Sequence, residues 1–155
     1  MTKIKVLWLS GTRINRKGDF FYETWLTSMA KLLVESGRVE LYNVVQDNIK
    51  DIIKIDNTIV KEWIIPTSLS SQKKRPTTSL IAYMEHIMDV VKPDLVHIWG
   101  MEKNWGLLTS TGVLGDKVLL EIQGIKYTCA KVYNAGMRMQ DLLSTVRVQE
   151  IVFPS

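Results

Sequence analysis

The residues of this chain that are equipped for chemistry stand at the ends of apolar runs. Lys5-Val6-Leu7-Trp8-Leu9-Ser10 leads directly into Gly11-Thr12-Arg13, a glycine, a hydroxyl and a guanidinium. A loop of this kind, after a strand and before a helix, offers backbone N–H groups and a positive charge to an anion. It is not a P-loop, because Lys17-Gly18-Asp19 lacks the Gly-Lys-Ser/Thr ending. Only Gly11 and Gly18 of a dinucleotide fingerprint are present, and a flexible basic loop accounts for the same residues. His97 lies inside the run Asp94-Leu95-Val96-His97-Ile98-Trp99. There an imidazole is either a hydrogen-bonded core group or, near the strand end, a proton carrier. Trp99 and Trp105 bracket Gly100-Met101-Glu102-Lys103-Asn104. Two indoles and a carboxylate around a glycine turn suit a sugar or another amphipathic ring, although two core anchors explain them as well. A third run, Val118-Leu119-Leu120-Glu121-Ile122-Gln123, stops at Gly124.

Other reactive side chains carry less. His86 sits beside Ile87 on a helical stretch and reads as structural. Cys129 has no histidine near it in sequence, and no Cys/His spacing fits a metal site, so a nucleophilic cysteine or zinc enzyme has no support. A single cysteine forms no internal disulfide, which suits a reducing cytoplasm.

The elements that must position these residues follow from periodicity. Residues 3–10 are rich in Val, Leu and Trp, as in a strand covered on both faces. Residues 20–36 switch to helical spacing, with Phe21, Trp25, Met29 and Leu33 on one stripe and Tyr22, Leu26 and Ala30 beside it. Asp19 is a fair N-cap and Gly37 a good stop. Residues 39–46 read as a strand, completing a βαβ unit. Residues 47–56 are ambiguous, 58–65 form a third strand ended by Pro66, and 67–76 an exposed loop. A second helix carries Leu80, Met84, Ile87, Met88 and Val91 on its apolar stripe and ends near Lys92, since Pro93 disfavours helix there. Strands over 94–99 and 117–123 follow, with a short helix over 104–111 between them. Residues 127–146 are one helix or two split at Asn134-Ala135-Gly136, and 151–155 an apolar, strand-like stub.

At 155 residues the chain is most simply one domain, large enough to bury roughly 70% of its unfolded surface. No signal peptide opens it, and no run approaches the ~20 apolar residues of a spanning helix. The net charge of +4 reads as a solubilising lysine excess. The cluster Gln72-Lys73-Lys74-Arg75-Pro76 is too short for a nucleic-acid stripe.

The fold class expected is α/β, a Rossmann-like three-layer sandwich with a mostly parallel sheet. In such sheets ligands bind in the crevice outside the carboxyl ends of the strands. The glycine-ended runs therefore mark a cleft rim.

In its opening Lys5 to Gly11 run, its Lys92-Pro93-Asp94-Leu95-Val96-His97-Ile98-Trp99-Gly100 block and its Val118 to Gly124 block, the chain resembles the N-terminal domain of family 4 glycosyltransferases. These are retaining enzymes of GT-B fold, and the Ile122-Gln123-Gly124 ending resembles the bacterial surface-polysaccharide type. The resemblance spans roughly residues 3–153. It implies transfer of a sugar from a nucleotide-sugar donor to a glycan or lipid-linked acceptor, without a metal or other cofactor. It also implies one wall of a two-domain cleft, the donor-binding C-terminal domain lying outside residues 1–155, so that this chain alone does not turn over. Gly11, Thr12 and Arg13 match the loop near the donor phosphates; Trp99, Gly100, Glu102 and Gly124 fall on the acceptor side. Many members place a histidine where this chain has Gln123. An amide holds a hydroxyl but is no general base, which leaves the catalytic residue unassigned, with His97 and Gln123 as the candidates.

Two other readings stand beside this one. A stand-alone α/β nucleotide-binding or signalling module fits the same pattern, although Ser10-Gly11 and Pro66-Thr67 occupy the places where a receiver domain needs acidic residues. Peripheral contact with the inner face of the membrane would draw on the basic excess and the aromatics of residues 15–25. A helix packed on its own sheet explains that stretch more simply.

Overall fold

The computed structural model describes residues 2–14, 24–56, 60–70, 75–100 and 105–121. Within them the chain runs β1 (Ile4–Ser10), α1 (Trp25–Glu35), β2 (Val39–Asp47), β3 (Ile53–Ile55), β4 (Lys61–Pro66), α2 (Thr78–Val91), β5 (Leu95–Trp99) and β6 (Val118–Glu121). Short 3-10 segments, Thr67–Ser70 and Trp105–Thr111, precede α2 and β6. The strands form one sheet in the order β3-β4-β2-β1-β5-β6. It is parallel throughout except for β3, which runs antiparallel along β4. The expected α/β class with a mostly parallel sheet is therefore present.

Alternation along the strands divides the core between the two faces. Leu7, Leu9, Tyr42, Val44, Trp63, Ile65, Val96 and Ile98 meet Leu80, Met84, Ile87 and Val91 of α2. On the other face Val6, Trp8, Leu41 and Trp99 meet Leu26 and Ala30 of α1. Each fully buried large side chain contributes about 1.5–3 kcal/mol of hydrophobic free energy. β1 is the axis of both clusters: Leu7, Trp8 and Leu9 are at most 1% exposed.

The buried stripe of α2 is the expected one, and the helix ends where Pro93 requires. Lys92 turns into the left-handed region at φ 49°, donating its N–H to the Met88 carbonyl at 2.8 Å. For α1 the outcome differs. The helix starts at Trp25, with Thr24 rather than Asp19 as its extended N-cap; Asp19 lies outside the described residues. Leu26 and Ala30 face the sheet, whereas Trp25, Met29 and Leu32 are 52%, 37% and 68% exposed. The expected stripe is thus rotated outward by about one position. Gly37 ends the helix as foreseen, at φ 71° with its N–H on the Val34 carbonyl.

The ambiguous segment holds β3, a three-residue edge strand whose Lys54 lies over the Trp63 ring at 5.4 Å. Among the described residues no helix is long and apolar enough to cross a membrane.

Candidate functional site at the carboxyl edge of the sheet

Because β1, β2, β4, β5 and β6 are parallel, their carboxyl ends share one edge. Strand order reverses at β1, which pairs with β2 on one side and β5 on the other. In open α/β sheets a crevice forms at such a reversal. Ser10 and Trp99 flank it here.

The loop leaving β1 is tied down by a buried polar group on the α1 face. Ser10, Asn43 and Glu62 are each wholly removed from solvent, at 0% exposure. Asn43 Nδ2 donates to Glu62 Oε1 at 2.7 Å and to the Thr12 carbonyl at 3.1 Å. Glu62 Oε1 also accepts the Ile14 N–H at 2.8 Å, and Ser10 Oγ lies 2.9 Å from Asn43 Oδ1. Polar groups buried in a sheet must be hydrogen-bonded, and these are satisfied by the loop they shape.

Of the residues assigned to phosphate contact, Gly11 is exposed. The Thr12 N–H turns back onto Ser10 Oγ at 3.3 Å. Arg13 reaches over β2, with a guanidinium nitrogen 3.4 Å from Asp47 Oδ2 and a buried Nε that has no hydrogen-bond partner. The loop's positive charge is thus already leaning on a carboxylate at the same edge.

Beyond β5, Gly100 takes φ 74° and donates its N–H to the Glu121 carbonyl at 3.0 Å, a turn that favours glycine. Trp105 does not bracket this turn as an open aromatic. It is buried with the α2 cluster and donates Nε1–H to the Ser10 carbonyl at 3.0 Å, holding the end of β1. The aromatic that does approach Trp99 is Trp25, at the first position of α1, with ring centres 5.1 Å apart and planes at 70°. Trp8 meets Trp99 at 5.1 Å, and His97 stacks on it at 3.9 Å.

His97 is largely buried, its Nε2 3.4 Å from Glu121 Oε2 across the β5–β6 pair. Burial pushes its pKa below 6.5, and the Glu121 carboxylate pulls partly the other way. Trp99 Nε1 is buried without a hydrogen-bond partner, and buried His97 Nε2 has only its long contact to Glu121. Glu102, Gln123 and Gly124 lie outside the described residues.

Sequence reasoning missed Trp25, Asn43, Glu62 and Glu121 as neighbours of the site. Asn43 carried a signal, as a polar residue within the apolar run from Leu41 to Val45, whereas Glu62 follows Lys61 at the start of β4 and carried less. Trp25 carried none, because its contact with Trp99 is set by how α1 lies on the sheet. Asp94, part of the most specific block, serves the fold instead. Its carboxylate accepts the Lys5 N–H at 2.8 Å, and its own N–H bonds the Lys5 carbonyl at 2.8 Å.

Fold and edge together define an α/β protein with polar and aromatic residues gathered where the order of its mostly parallel sheet reverses. Comparison with family models, curated proteins and solved structures gives no match.

Proposed function

We propose that this chain is the acceptor-side domain of a retaining, sugar-nucleotide-dependent glycosyltransferase of GT-B type, its layers forming a Rossmann-like three-layer sandwich. The observation that carries the proposal is the reversal of strand order at β1, with Ser10-Gly11 and Trp99-Gly100 ending neighbouring parallel strands. The likeness of the three glycine-ended blocks to such domains supplies the chemistry. On this reading Gly11, Thr12 and Arg13 face the donor phosphates, and the Arg13 guanidinium exchanges Asp47 for the diphosphate. Trp99, Gly100, Glu102 and Gly124 line the acceptor side, and His97 or Gln123 lies nearest the reacting sugar. A donor-binding domain completes the cleft, and no metal is required. A cytoplasmic setting, with peripheral contact at the inner face of the membrane, suits a lipid-linked acceptor.

The test is release of nucleoside diphosphate from a panel of sugar nucleotides by the protein's complete reading frame, with glycoside acceptors present. Acceptor-dependent release is expected, falling about tenfold or more in Arg13→Ala, since a charge-assisted phosphate contact is worth about 1.5–3 kcal/mol. Absence of acceptor-dependent release with every donor contradicts the proposal.

A further inference from the structure

One cluster at the site has more polar capacity than the fold uses. Trp25 leaves about half of its surface in solvent while its ring abuts Trp99 at 5.1 Å. Trp99 is 6% exposed, and its buried Nε1 has no hydrogen-bond partner. His97 stacks against Trp99, and its Nε2 has only the long contact to Glu121 Oε2 at 3.4 Å. Glu121, 3.4 Å beyond that nitrogen, keeps 43% of its side chain exposed. A buried donor without an acceptor is costly and calls for an explanation at each site where it persists.

We infer that Trp25, Trp99, His97 and Glu121 form the seat of a hydroxylated six-membered sugar ring, a pyranose, at the end of β5. The inference rests on the acceptor-side reading and adds to it the place where the sugar ring sits and two residues that hold it, Trp25 and Glu121. A sugar ring has an apolar C–H face for the exposed indole of Trp25. Its hydroxyls both donate and accept, so one molecule can meet the acceptor-only Glu121 carboxylate and the donor-only indole N–H. A nucleobase shares the flat face, but each position on its edge is fixed as donor or acceptor, whereas each sugar hydroxyl serves as either. An anion is disfavoured by the Glu121 charge.

The experiment is a two-dimensional NMR titration of the chain with methyl glycosides of glucose, galactose and N-acetylglucosamine, and with uridine for comparison, following the indole N–H resonances. At least one glycoside is expected to move the Trp99 and Trp25 indole signals in saturable fashion, with uridine giving no such movement. Trp25→Ala is expected to weaken that binding about tenfold, and Glu121→Gln by a similar factor. Trp25→Phe keeps an aromatic face and is expected to retain most of the affinity, which separates loss of the ring from loss of folding. Glycoside binding that leaves Trp25 and Trp99 unmoved overturns the seat while the acceptor-side reading stands. Saturable binding of uridine at these indoles overturns the ring class. Failure of every glycoside to shift any resonance overturns the seat, whereas acceptor-dependent release by the complete reading frame decides the acceptor-side reading separately.

Discussion

Asn43 is the residue on which the first loop hangs. Its amide nitrogen donates both to Glu62 and to the Thr12 carbonyl, within a group fully removed from water. Replacing it by alanine leaves acceptors on Glu62 and Thr12 short of a donor. Urea denaturation of Asn43→Ala is therefore expected to show a loss of about 2–4 kcal/mol, far above a surface substitution. His97 sets a pH dependence of known sign. Its pKa is lowered on folding, so the unfolded chain takes up a proton first as pH falls below 6.5. The stability it favours is complete above that value and declines as pH falls toward the folded pKa. Thermal melts are expected to drop as pH falls below 6.5 toward the lowered folded pKa, and His97→Gln is expected to flatten that slope. Glu40 acts lower. Lys61 at 2.6 Å holds its pKa below 4.5, so its contribution is present above 4.5 and lost as pH falls through the folded value.

Among the elements, the helix stops and the face of α2 were legible, whereas the N-cap and face of α1 were not. Pro93 and Gly37 act locally, and they end α2 and α1 where residue chemistry demands. The face of α1 was not legible, because Trp25, Leu26, Met29, Ala30 and Leu33 make an apolar arc wider than the sheet covers. Which part is buried depends on close approach: small Ala30 lies fully buried in the cluster with Trp8, while bulky Trp25 is left at the margin against Trp99. The strand β3 was hidden for the opposite reason, since a short exposed edge strand needs no apolar alternation. The start of α2 offers a direct test. Thr77 accepts the Leu80 N–H at 3.1 Å and donates its hydroxyl to the Leu69 carbonyl, joining the helix to the preceding 3-10 segment. Thr77→Ala is expected to cost about 1–2 kcal/mol, and Thr77→Ser to restore most of it, as read by urea midpoints.

Across the molecule, the glycine-ended runs that stood out in the sequence fall on the same sheet edge wherever they are described. Ser10 and Trp99 end adjacent parallel strands, and Glu121 pairs with Trp99. That edge was legible because a parallel sheet puts every strand's carboxyl end on one side. Its actual lining was not, because Trp25 arrives from a helix and Glu62 from a strand two places away. Trp105 shows the converse, an indole close in sequence to the turn but buried and bonded to the end of β1. On the function proposed, this edge is one wall of a two-walled site, built to hold an acceptor and only to touch the donor. Calorimetric titration of the 155-residue chain with nucleotide sugars probes that division of labour without intermediate steps. Weak or undetectable heats are expected; stoichiometric, tight binding of a nucleotide sugar by this chain alone would refute it.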